Sequence, residues 1–587
     1  MLSIVTLIGL GLTIVTAIPV ILQLRGHPRG LYILFFTEMW ERFSYYGMRG
    51  LLIVYMTQHF MFEDSFASGQ YGAFISLAYL LPLIGGLLAD RFLGTRKAVG
   101  LGALLLVAGH LTMALEQPPA REQLIYEGRE YAFVSEGQQN RYKVRIAVDG
   151  AAYDIGPAPE GGIAIKDLPE GASLPPVLKR GEFERVVTGR DPFYVSAFYV
   201  ALALIALGIG FLKSNISTIV GQLYEQGDPR RDSGFTLYYF GINVGALWST
   251  ILCSAMAFEF GWGAGFGLAG IGMLAGYAVF RLGKPWLGGR GEPPDPERLA
   301  RPILGSLNQE RLIYLLVLLS IPLVWLMVQR QAVVNSLLIA AACLVLAYFF
   351  HYIVTKATRV EAHRLLLAFV LICGSTAFWT FYELIGTSLN QFAERNTQLP
   401  SDGFLTVTSS QVQGLVSAYL LVLAPIMAAL WTALARRNRE PNDPLKFGMA
   451  MIHLGLGFLL LVWGAQFADA DYKVPLAFLA GLYLLHTIGE LMLSPVGLSA
   501  MTKLAPTTLA ATVMATWFLG SSASSALGAQ IAKLTAMETV GGAVLDPAQA
   551  LQTYVTIFRN VGLGALALGA VLALSSPWLG KLAHKGE

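Results

Sequence analysis

The sequence predicts an all-α membrane protein that carries one small β-rich insert. Its 587 residues are 55% apolar and only 13% charged, with a mean hydropathy of +0.56, whereas a soluble domain carries about a quarter charged residues. Many apolar runs reach the roughly 18 residues that a helix needs to cross a bilayer. The lipid bilayer is therefore an expected partner, while a net charge of +3 gives no indication of nucleic-acid binding.

Fifteen apolar runs are long enough to form membrane helices. The first is followed by Arg25, His27 and Arg29, whereas a secretory signal peptide has its positive charge before the apolar core. We interpret this run as an extra N-terminal membrane helix, with a cleavable signal peptide as the alternative. The runs lie at approximately 2–24, 31–58, 70–93, 97–116, 193–214, 234–257, 262–282, 311–329, 333–355, 364–390, 411–433, 446–469, 474–498, 507–534 and 551–579.

Clusters of Lys and Arg indicate the orientation of these helices, because such clusters favour the cytoplasmic side of a membrane. Placing every cluster inside agrees with alternating spans. It puts the C-terminus in the cytoplasm and the N-terminus in the periplasm of a cell inner membrane. The clusters are Arg91, Arg96 and Lys97; Arg230 and Arg231; Arg298 and Arg301; Arg436, Arg437 and Arg439; and Lys581 with Lys585.

Residues 117–191 form a polar segment rich in Gly and Pro. The stretch RYKVRIAV (141–148) alternates polar and apolar residues, and this pattern between turn residues predicts short strands. The orientation above places the segment outside the membrane. We interpret it as a small β-rich subdomain, with a disordered loop as the alternative. One hypothesis for its function is that it covers the outer mouth or recruits an external partner.

The second apolar run is dense in charge, at EMWERFSYYGMR (38–49). Helical spacing places Glu38, Arg42, Tyr45 and Arg49 on one stripe, with Glu41 beside Arg42. Ionisable groups inside a bilayer cost several kcal/mol each and normally face a cavity or a partner. The segment therefore predicts a functional site, with a purely structural ion-pair cluster as the alternative.

Lys213 is a second intramembrane cation. A lysine at this depth needs an acid, so we expect it to pair with Glu38 or Glu41. Protonation of that acid would break the pair and link proton occupancy to a helix rearrangement. A lysine that reaches towards the membrane interface is the alternative.

Glu383 and Glu490 lie among apolar residues in later runs, so each should face a polar cavity. His486 stands one turn before Glu490 and could tune that acid, although such a histidine is more often simply hydrogen-bonded. A metal site is not indicated, because the second His of a zinc-protease helix is missing.

The sequence gives no indication of catalysis. Cys253, Cys343 and Cys373 lie in apolar runs without the spacing of a metal site or a disulfide framework. We find no nucleophile elbow and no phosphate loop. We therefore expect neither enzymatic activity nor a cofactor.

The segment GGLLADRFLGTRK (85–97) joins two runs at the predicted inner face. Glycine lets the helices approach closely, Asp90 can cap or pair across the loop, and the basic residues mark the cytoplasm. The pattern resembles the signature loop of the major facilitator superfamily. By that resemblance, Gly86, Asp90 and Arg91 belong to a conformational latch.

Three motifs together resemble the proton-dependent oligopeptide transporter family of that superfamily, in its bacterial type. The motifs are ExxERFxYYG (38–47), YYFGINVGAL (238–247) and GELMLSPVGLS (489–499). The resemblance extends from about Pro28 to Pro577 and is interrupted chiefly by the polar segment.

The resemblance implies a major facilitator fold, in which two six-helix bundles surround a central site and alternate between outward-open and inward-open states. Bacterial members typically insert two helices between the bundles. The implied organisation is an extra helix at 1–27, an N-terminal bundle at 28–116 and 192–285, a periplasmic insert at 117–191, a linker with two helices at 286–360, and a C-terminal bundle at 361–587.

The same resemblance implies roles for individual residues. Arg49 and Lys213 would engage the carboxylate of a bound peptide, and Glu490 its amino group. Opposite charges on opposite bundles would explain tolerance of many side chains. Glu383 would be the protonatable acid that pairs with Arg49 in gating. The proton-coupling cluster would be Glu38, Glu41, Arg42 and Lys213, and the other pocket residues Tyr45, Tyr46, Tyr79, Asn243 and Trp517.

Four positions depart from the usual residues of the family. Leu384 stands where Gln is common, Val416 and Ser417 where Asn-Pro is common, and Ser214 where Pro usually follows the lysine. The ligand preference therefore stays open.

The sequence thus predicts a proton-coupled symporter that imports di- and tripeptides and is functional as a monomer. A carrier of another small zwitterion or peptide-like compound is the first alternative. A membrane sensor that has lost transport is the second, and the charged residues retained in the segment 38–49 argue against it.

Overall fold

In the computed structural model, the protein forms a helical membrane bundle with a small sheet at one end. The structure describes residues 3–137, 142–225, 228, 230–305, 307–401, 403–506 and 509–583. Arg141, the first residue of the predicted alternating stretch, and Lys585, the last basic residue used for orientation, lie outside the described residues.

Fifteen long helices lie in the described part of the chain, and they match the fifteen predicted runs. Their bounds are α1 Ile4–Leu24, α2 Arg29–Gln58, α3 Asp64–Leu88, α4 Thr95–Met113, α5 Pro192–Gln222, α6 Arg231–Phe260, α7 Trp262–Leu282, α9 Gln309–Gln329, α10 Gln331–Thr355, α11 Arg359–Tyr382, α14 Gly414–Arg436, α15 Asp443–Gly464, α16 Leu476–Leu504, α17 Ala510–Leu534 and α18 Pro547–Lys581. The short helices are α8 Pro296–Ala300, α12 Ser388–Asn396 and α13 Ser409–Val412. A π-helical turn, Ala89–Leu93, follows α3, and a 3-10 turn, Glu383–Gly386, separates α11 from α12.

Twelve helical segments among the described residues are long and apolar enough to cross a membrane, so this is a multi-pass membrane protein. Helices α2, α4 and α17 fall outside that set. Helix α2 carries five charged residues, yet most of its side chains are buried, because it packs against α6 and α7. A charged helix is stable at this depth when protein rather than lipid surrounds it.

The helices form two bundles, each with its own apolar core. Helices α2 to α7 surround the first core, and α11 with α14 to α18 surround the second. The bundles meet along two seams, where α3 packs against α17 and α6 against α14. Helices α9 and α10 lie beside the first seam, while α1 packs on α6 and α14 at the second.

Residues between α4 and α5 form a seven-stranded antiparallel sheet, which we call the insert. Its strands are β1 Arg121–Tyr126, β2 Arg129–Glu136, β3 Lys143–Val148, β4 Ala151–Ala158, β5 Gly162–Ile165, β6 Val177–Leu178 and β7 Glu184–Thr188, in the order β6-β5-β4-β3-β2-β1-β7. Asp149 and Gly150, with φ of 50° and 84°, form the tight turn that a two-residue hairpin requires. Apolar side chains such as Leu124, Phe133 and Ile146 form a separate core. The interpretation as a β-rich subdomain is confirmed, and the alternative of a disordered loop is wrong.

Short strand pairs complete the fold. They are β8 Pro302–Leu304 with β9 Leu307–Asn308, β10 Thr397–Gln398 with β11 Val474–Pro475, and β12 Thr539–Val540 with β13 Ala543–Val544. The last pair lies between α17 and α18, and we call residues 537–546 the hairpin. We call the end of the bundles that carries the insert and the hairpin the insert face.

Candidate functional site

A cavity of about 450 Å³ lies between the two bundles. Helices α2, α3, α5 and α6 line it on one side, and α11, α14, α16 and α17 line it on the other. The charged residues on its wall come from both bundles: Glu38, Arg42, Arg49, Lys213, Glu383 and Glu490. The structure thus brings together charged residues that are up to about 450 positions apart in the sequence.

The acidic and basic residues of α2 form one buried cluster. The Nε of Arg42 donates to Glu38 Oε1 at 2.9 Å and lies 2.7 Å from Glu41 Oε2. Glu41 is fully buried behind Arg42, and its carboxyl accepts no hydrogen bond from the residues that the structure describes. One guanidinium therefore faces two carboxyls.

Lys213 does not form the ion pair that we expected with Glu38 or Glu41. Among the described residues, no carboxylate oxygen lies within 4.0 Å of its ammonium; instead Nζ lies 4.0 Å from the ring centroid of Tyr79. Arg42 already contacts both Glu38 and Glu41. The ammonium of Lys213 instead lies over the face of an aromatic ring, which attracts a cation. Lys213 lines the cavity with its charge available to a ligand.

Arg49 connects the two bundles. One end of its guanidinium forms an ion pair with Glu383, and Nε donates to the Tyr71 hydroxyl at 2.8 Å. Only 12% of the Arg49 side chain and 7% of the Glu383 side chain are exposed. The 3-10 turn that begins at Glu383 breaks α11 at this point and directs the acid towards α2.

Glu490 lies on the wall formed by the second bundle. It accepts a hydrogen bond from the Tyr382 hydroxyl at 2.5 Å. His486 hydrogen-bonds to the Leu454 carbonyl at 3.2 Å, which is the simple structural role that we judged more common. Among the described residues, the charged groups on the cavity wall are therefore three cations and Glu38 on the first bundle, and two carboxyl groups on the second.

Three predicted site residues do not line the cavity. Tyr45 is buried in the core of the first bundle, Glu41 lies behind Arg42, and Trp517 packs within the core of the second bundle. Beside two of them, Tyr46, which was also predicted, and Phe518, which was not, line the wall. Helical spacing alone could not decide which of two adjacent aromatic residues faces inward.

Several residues of the wall were not predicted from the sequence. Tyr46, Tyr79 and Asn243 line the cavity as expected, and Asn243 donates to the Tyr239 carbonyl at 3.0 Å. The wall residues that were not expected include Tyr238, Tyr239, Trp379, Tyr382, Gln413, Ser494 and Phe518. Three of these had a signal, because Tyr238 and Tyr239 open the second motif and Ser494 lies within the third.

The departures from the usual family residues fall partly on this wall. Ser214, Val416 and Ser417 line the cavity, whereas Leu384 is buried away from it. Three of the four departures therefore change the surface that a ligand would contact.

The loop after α3 lies at the face opposite the insert. Asp90 and Arg91 are exposed. We expected Asp90 to cap a helix or to form an ion pair across the loop, but its carboxylate does neither among the described residues. Two residues of the first turn of α4 are bound instead: Arg96 pairs with Glu292, and Lys97 Nζ lies 2.6 Å from Glu310 Oε2. The start of α4, directly after the loop, is thus tied to the linker between the bundles.

The bundles are closed against each other between the cavity and the insert face. Arg395 binds Asp64 through two nitrogens, at 2.6 and 2.7 Å, and both side chains are buried. Nearer the cavity, Ser76 and Ser522 each donate to the carbonyl of the other residue, at 3.0 and 2.7 Å. The path from the cavity to the insert face is therefore blocked.

Two helix bundles that enclose a charged central cavity and close on one side of it define a secondary transporter of the major facilitator type. The profile of the POT family matches residues 96–546. The protein belongs to this family of proton-dependent oligopeptide transporters.

Its similarity to known members covers nearly the whole chain. It is 32% identical to YclF, an uncharacterized transporter of Bacillus subtilis, over 96% of both chains. It is 30% identical to dipeptide and tripeptide permease A of Edwardsiella piscicida, over 94% of this chain and 95% of the permease.

Solved structures of peptide transporters share the fold. A POT variant crystallised with alafosfalin is 30% identical, with a TM-score of 0.70 and coverage of 95% of this chain and 96% of the other. A POT family transporter in complex with 5-aminolevulinic acid is 25% identical, with a TM-score of 0.69 and coverage of 94% and 97%.

Proposed function

We propose that this protein is a proton-coupled symporter that imports di- and tripeptides by alternating access. The observation that carries the proposal is the division of charge in the cavity, with Arg49 and Lys213 on one bundle and Glu490 on the other. Its similarity to permeases for di- and tripeptides supports the same substrate class.

A short peptide without blocked ends is a zwitterion whose two charges are separated by its backbone. Arg49 and Lys213 would bind the C-terminal carboxylate, because charge-assisted hydrogen bonds are strong in a partly desolvated site. Glu490 would bind the N-terminal ammonium. Side chains would then face the aromatic and aliphatic wall, so that many sequences could be accepted.

The balance of charge supports a proton as the coupling ion. The central cluster holds four acids and three bases, and a zwitterion adds no net charge to it. One bound proton would bring the occupied site to neutrality, which lowers the cost of moving it through a low-dielectric environment. The acids are Glu38, Glu41, Glu383 and Glu490, and the bases are Arg42, Arg49 and Lys213.

The ion pair between Arg49 and Glu383 suggests how binding and gating are linked. In this structure it ties α2 to the turn after α11. A proton on Glu383 and a peptide carboxylate at Arg49 would together replace the pair. Both bundles would then be free to rearrange, because the contact between them no longer depends on two opposite charges.

We further propose that the insert face is the periplasmic side of a cell inner membrane, in agreement with the distribution of Lys and Arg. The C-terminus would lie in the cytoplasm and the N-terminus in the periplasm. Gly86, Asp90 and Arg91 would act as the cytoplasmic latch. The protein would work as a monomer, without a cofactor and without a catalysed reaction.

A different small zwitterion is the second candidate substrate. Ser214, Val416 and Ser417 line the cavity, so the ligand would meet a wall that differs from the usual one. The similar transporter in complex with 5-aminolevulinic acid shows that such a compound fits a related protein.

The deciding experiment is uptake of labelled dialanine into proteoliposomes under an imposed inward proton gradient. Wild type should accumulate the peptide. Glu41→Gln and Glu383→Gln should abolish accumulation but retain counterflow, because exchange of peptide needs no net movement of protons. Glu297→Gln, at an exposed position of α8, is the matched control and should behave like wild type.

If wild type neither accumulates nor exchanges dialanine, the proposal that its substrates are di- and tripeptides is refuted. Other zwitterions would then be tested in the same vesicles. Binding without uptake of any of them would favour the sensor.

A further inference from the structure

The insert is fixed to the first bundle at its base. Its chain leaves α4 and returns to α5, which belong to the same bundle. Arg190 donates through Nε and Nη2 to the carbonyls of Phe60 and Met61, at 2.7 and 2.5 Å. The amide of Ala120 donates to the His59 carbonyl at 2.9 Å. The sheet should therefore move together with this bundle.

The insert also binds the hairpin, which belongs to the second bundle. Arg185 of β7 donates to the Thr539 carbonyl at 2.8 Å and pairs with Glu538 Oε1 at 2.6 Å. Val540 is almost completely buried and is part of the apolar core of the insert. Leu545 of the hairpin also packs against this core. Side chains from the second bundle thus complete a core whose other members belong to the insert.

A second group of hydrogen bonds fixes the turn of the hairpin. The Tyr142 hydroxyl donates to the Gly541 carbonyl, and the Gly541 amide donates to Glu122 Oε2, both at 2.5 Å. The Glu122 side chain is only 8% exposed, and its other oxygen lies 3.5 Å from Arg185. Buried hydrogen bonds to charged groups contribute more than exposed ones.

The hairpin in turn reaches the contact that closes the cavity. The amide of Met537 donates to Asp64 Oδ2 at 3.0 Å, and the same carboxylate binds Arg395. Movement of the hairpin away from the first bundle would therefore disturb the closed side directly.

We propose that the insert is a strap between the bundles, which must release the hairpin before the cavity can open to the insert face. The proposal rests on alternating access, since only a carrier has to open on this side. It assigns to the insert an internal partner, the hairpin, and a conformational effect on the carrier.

The first test measures opening without any substrate. Ser410 is completely buried on the closed path, where its hydroxyl donates to the Gly50 carbonyl. In a variant without native cysteines, Ser410→Cys is exposed to a membrane-impermeant maleimide in sealed vesicles that have the insert face outward. Arg185→Ala should raise the labelling rate about threefold to tenfold, which is the effect of losing partly exposed hydrogen bonds to a charged group.

The matched control is Arg145→Ala. Arg145 is also in the insert and pairs with Asp154, at 3.1 Å, but within the sheet. Its loss should leave the labelling rate within about twofold of wild type, because both partners lie in the insert and the pair does not reach the hairpin. Equal rates for Arg185→Ala and Arg145→Ala in correctly folded protein would overturn the proposal.

The second test closes the strap covalently. Arg185→Cys with Glu538→Cys is joined by a reducible bifunctional thiol reagent, and dialanine uptake is measured before and after reduction. Uptake should fall at least about tenfold in the cross-linked protein and return on reduction. Arg145→Cys with Asp154→Cys, which lie opposite each other on β3 and β4, should be cross-linked without loss.

These measurements separate the strap from the proposed function. Full uptake by protein cross-linked between insert and hairpin would refute the strap and leave peptide transport intact. If wild type shows no uptake at all, the peptide proposal fails, and the labelling of Ser410→Cys still decides whether the strap holds the insert face closed.

Discussion

Replacement of Glu490 by Gln tests the binding geometry most directly. Glu490 is 9% exposed, lines the cavity and uses one oxygen to accept the Tyr382 hydroxyl. The substitution keeps the size of the side chain and an oxygen for that hydrogen bond. It removes only the negative charge that we assign to the ammonium of the peptide.

The size of the effect follows from the setting of this carboxylate. Removing one partner of a buried charge pair typically costs about 2–5 kcal/mol in binding. The cavity holds several other charges and has room for water, so the lower end of that range applies. A loss of about 2 kcal/mol corresponds to an approximately 30-fold weaker affinity.

The assay is competition by unlabelled dialanine and by N-acetyl-dialanine against a reporter peptide in counterflow. Wild type should prefer dialanine, because the acetylated peptide lacks the ammonium. Glu490→Gln should weaken the binding of dialanine about 30-fold and the binding of the acetylated peptide less than about threefold. The control is Ser494→Ala, on the same helix and the same wall. This variant should bind both ligands with the affinities of wild type.

An equal loss of affinity for both ligands would contradict the assignment. Glu490 would then support the shape of the cavity rather than bind the ammonium.

Three further predictions concern the closed side. Asp64→Asn should raise the rate at which a buried thiol is labelled from the insert face by more than about tenfold, because it leaves the buried Arg395 without a counter-charge. Gly72→Val should have the same effect, since even a Cβ at this position would collide with Ala529 across the first seam. The labelling rate, divided at each pH by the rate of the Glu122→Gln variant, should also increase as pH rises above about 4.5, because burial raises the pKa of Glu122 above its ordinary value in the docked insert.

The prediction for Gly72→Val is tested against a control substitution, Gly100→Val. Gly100→Val changes a glycine with open space around it, so it should leave labelling unchanged. If Gly72→Val also leaves labelling unchanged, close packing at the seam does not control opening.

The sign of the pH effect follows from the groups around Glu122. Burial favours its neutral form, with a smaller contribution from Glu538, while the Gly541 amide, Arg185 and Arg190 favour the carboxylate. Because the pKa is raised on balance, docking gains stability below the ordinary value, and this gain is lost as pH rises through the raised value. Maleimide labelling itself accelerates with pH, because the thiolate is the reactive form, and the Glu122→Gln variant measures this background. A ratio of the rate with Glu122 to the rate of the Glu122→Gln variant that falls as pH rises would show that the sign is wrong.

The sequence was sufficient for the helices and for the charged residues of the site. Long apolar runs leave few choices for a chain in lipid, so the spans were predicted closely. Glu38, Arg42 and Arg49 could be recognised as candidate site residues, because a charged side chain inside a membrane is costly and normally faces a cavity or a partner.

Contacts between distant parts of the chain could not be predicted in the same way. Lys213 was expected beside an acid and lies on Tyr79, since the choice depends on how α3 and α5 pack. Tyr45 and Tyr46 differ by one helical step, and only the packed bundle shows that Tyr46 faces the cavity. The contact between Arg185 and the hairpin joins residues that are more than 350 positions apart in the sequence. Neither segment carries a sequence motif that would indicate this contact.

The strap has a consequence for the transport cycle that is independent of the chemistry in the cavity. A contact worth about 1.4 kcal/mol that exists only in the closed state lowers the population open to the insert face about tenfold. Substrate arriving from that face can bind only the open population, so its apparent affinity falls by the same factor. Release towards the opposite face is unaffected, because the strap stays intact in that state. Arg185→Ala should therefore lower the KM for uptake without changing the proton dependence that Glu383 governs, and this combination distinguishes a strap from a residue of the coupling site.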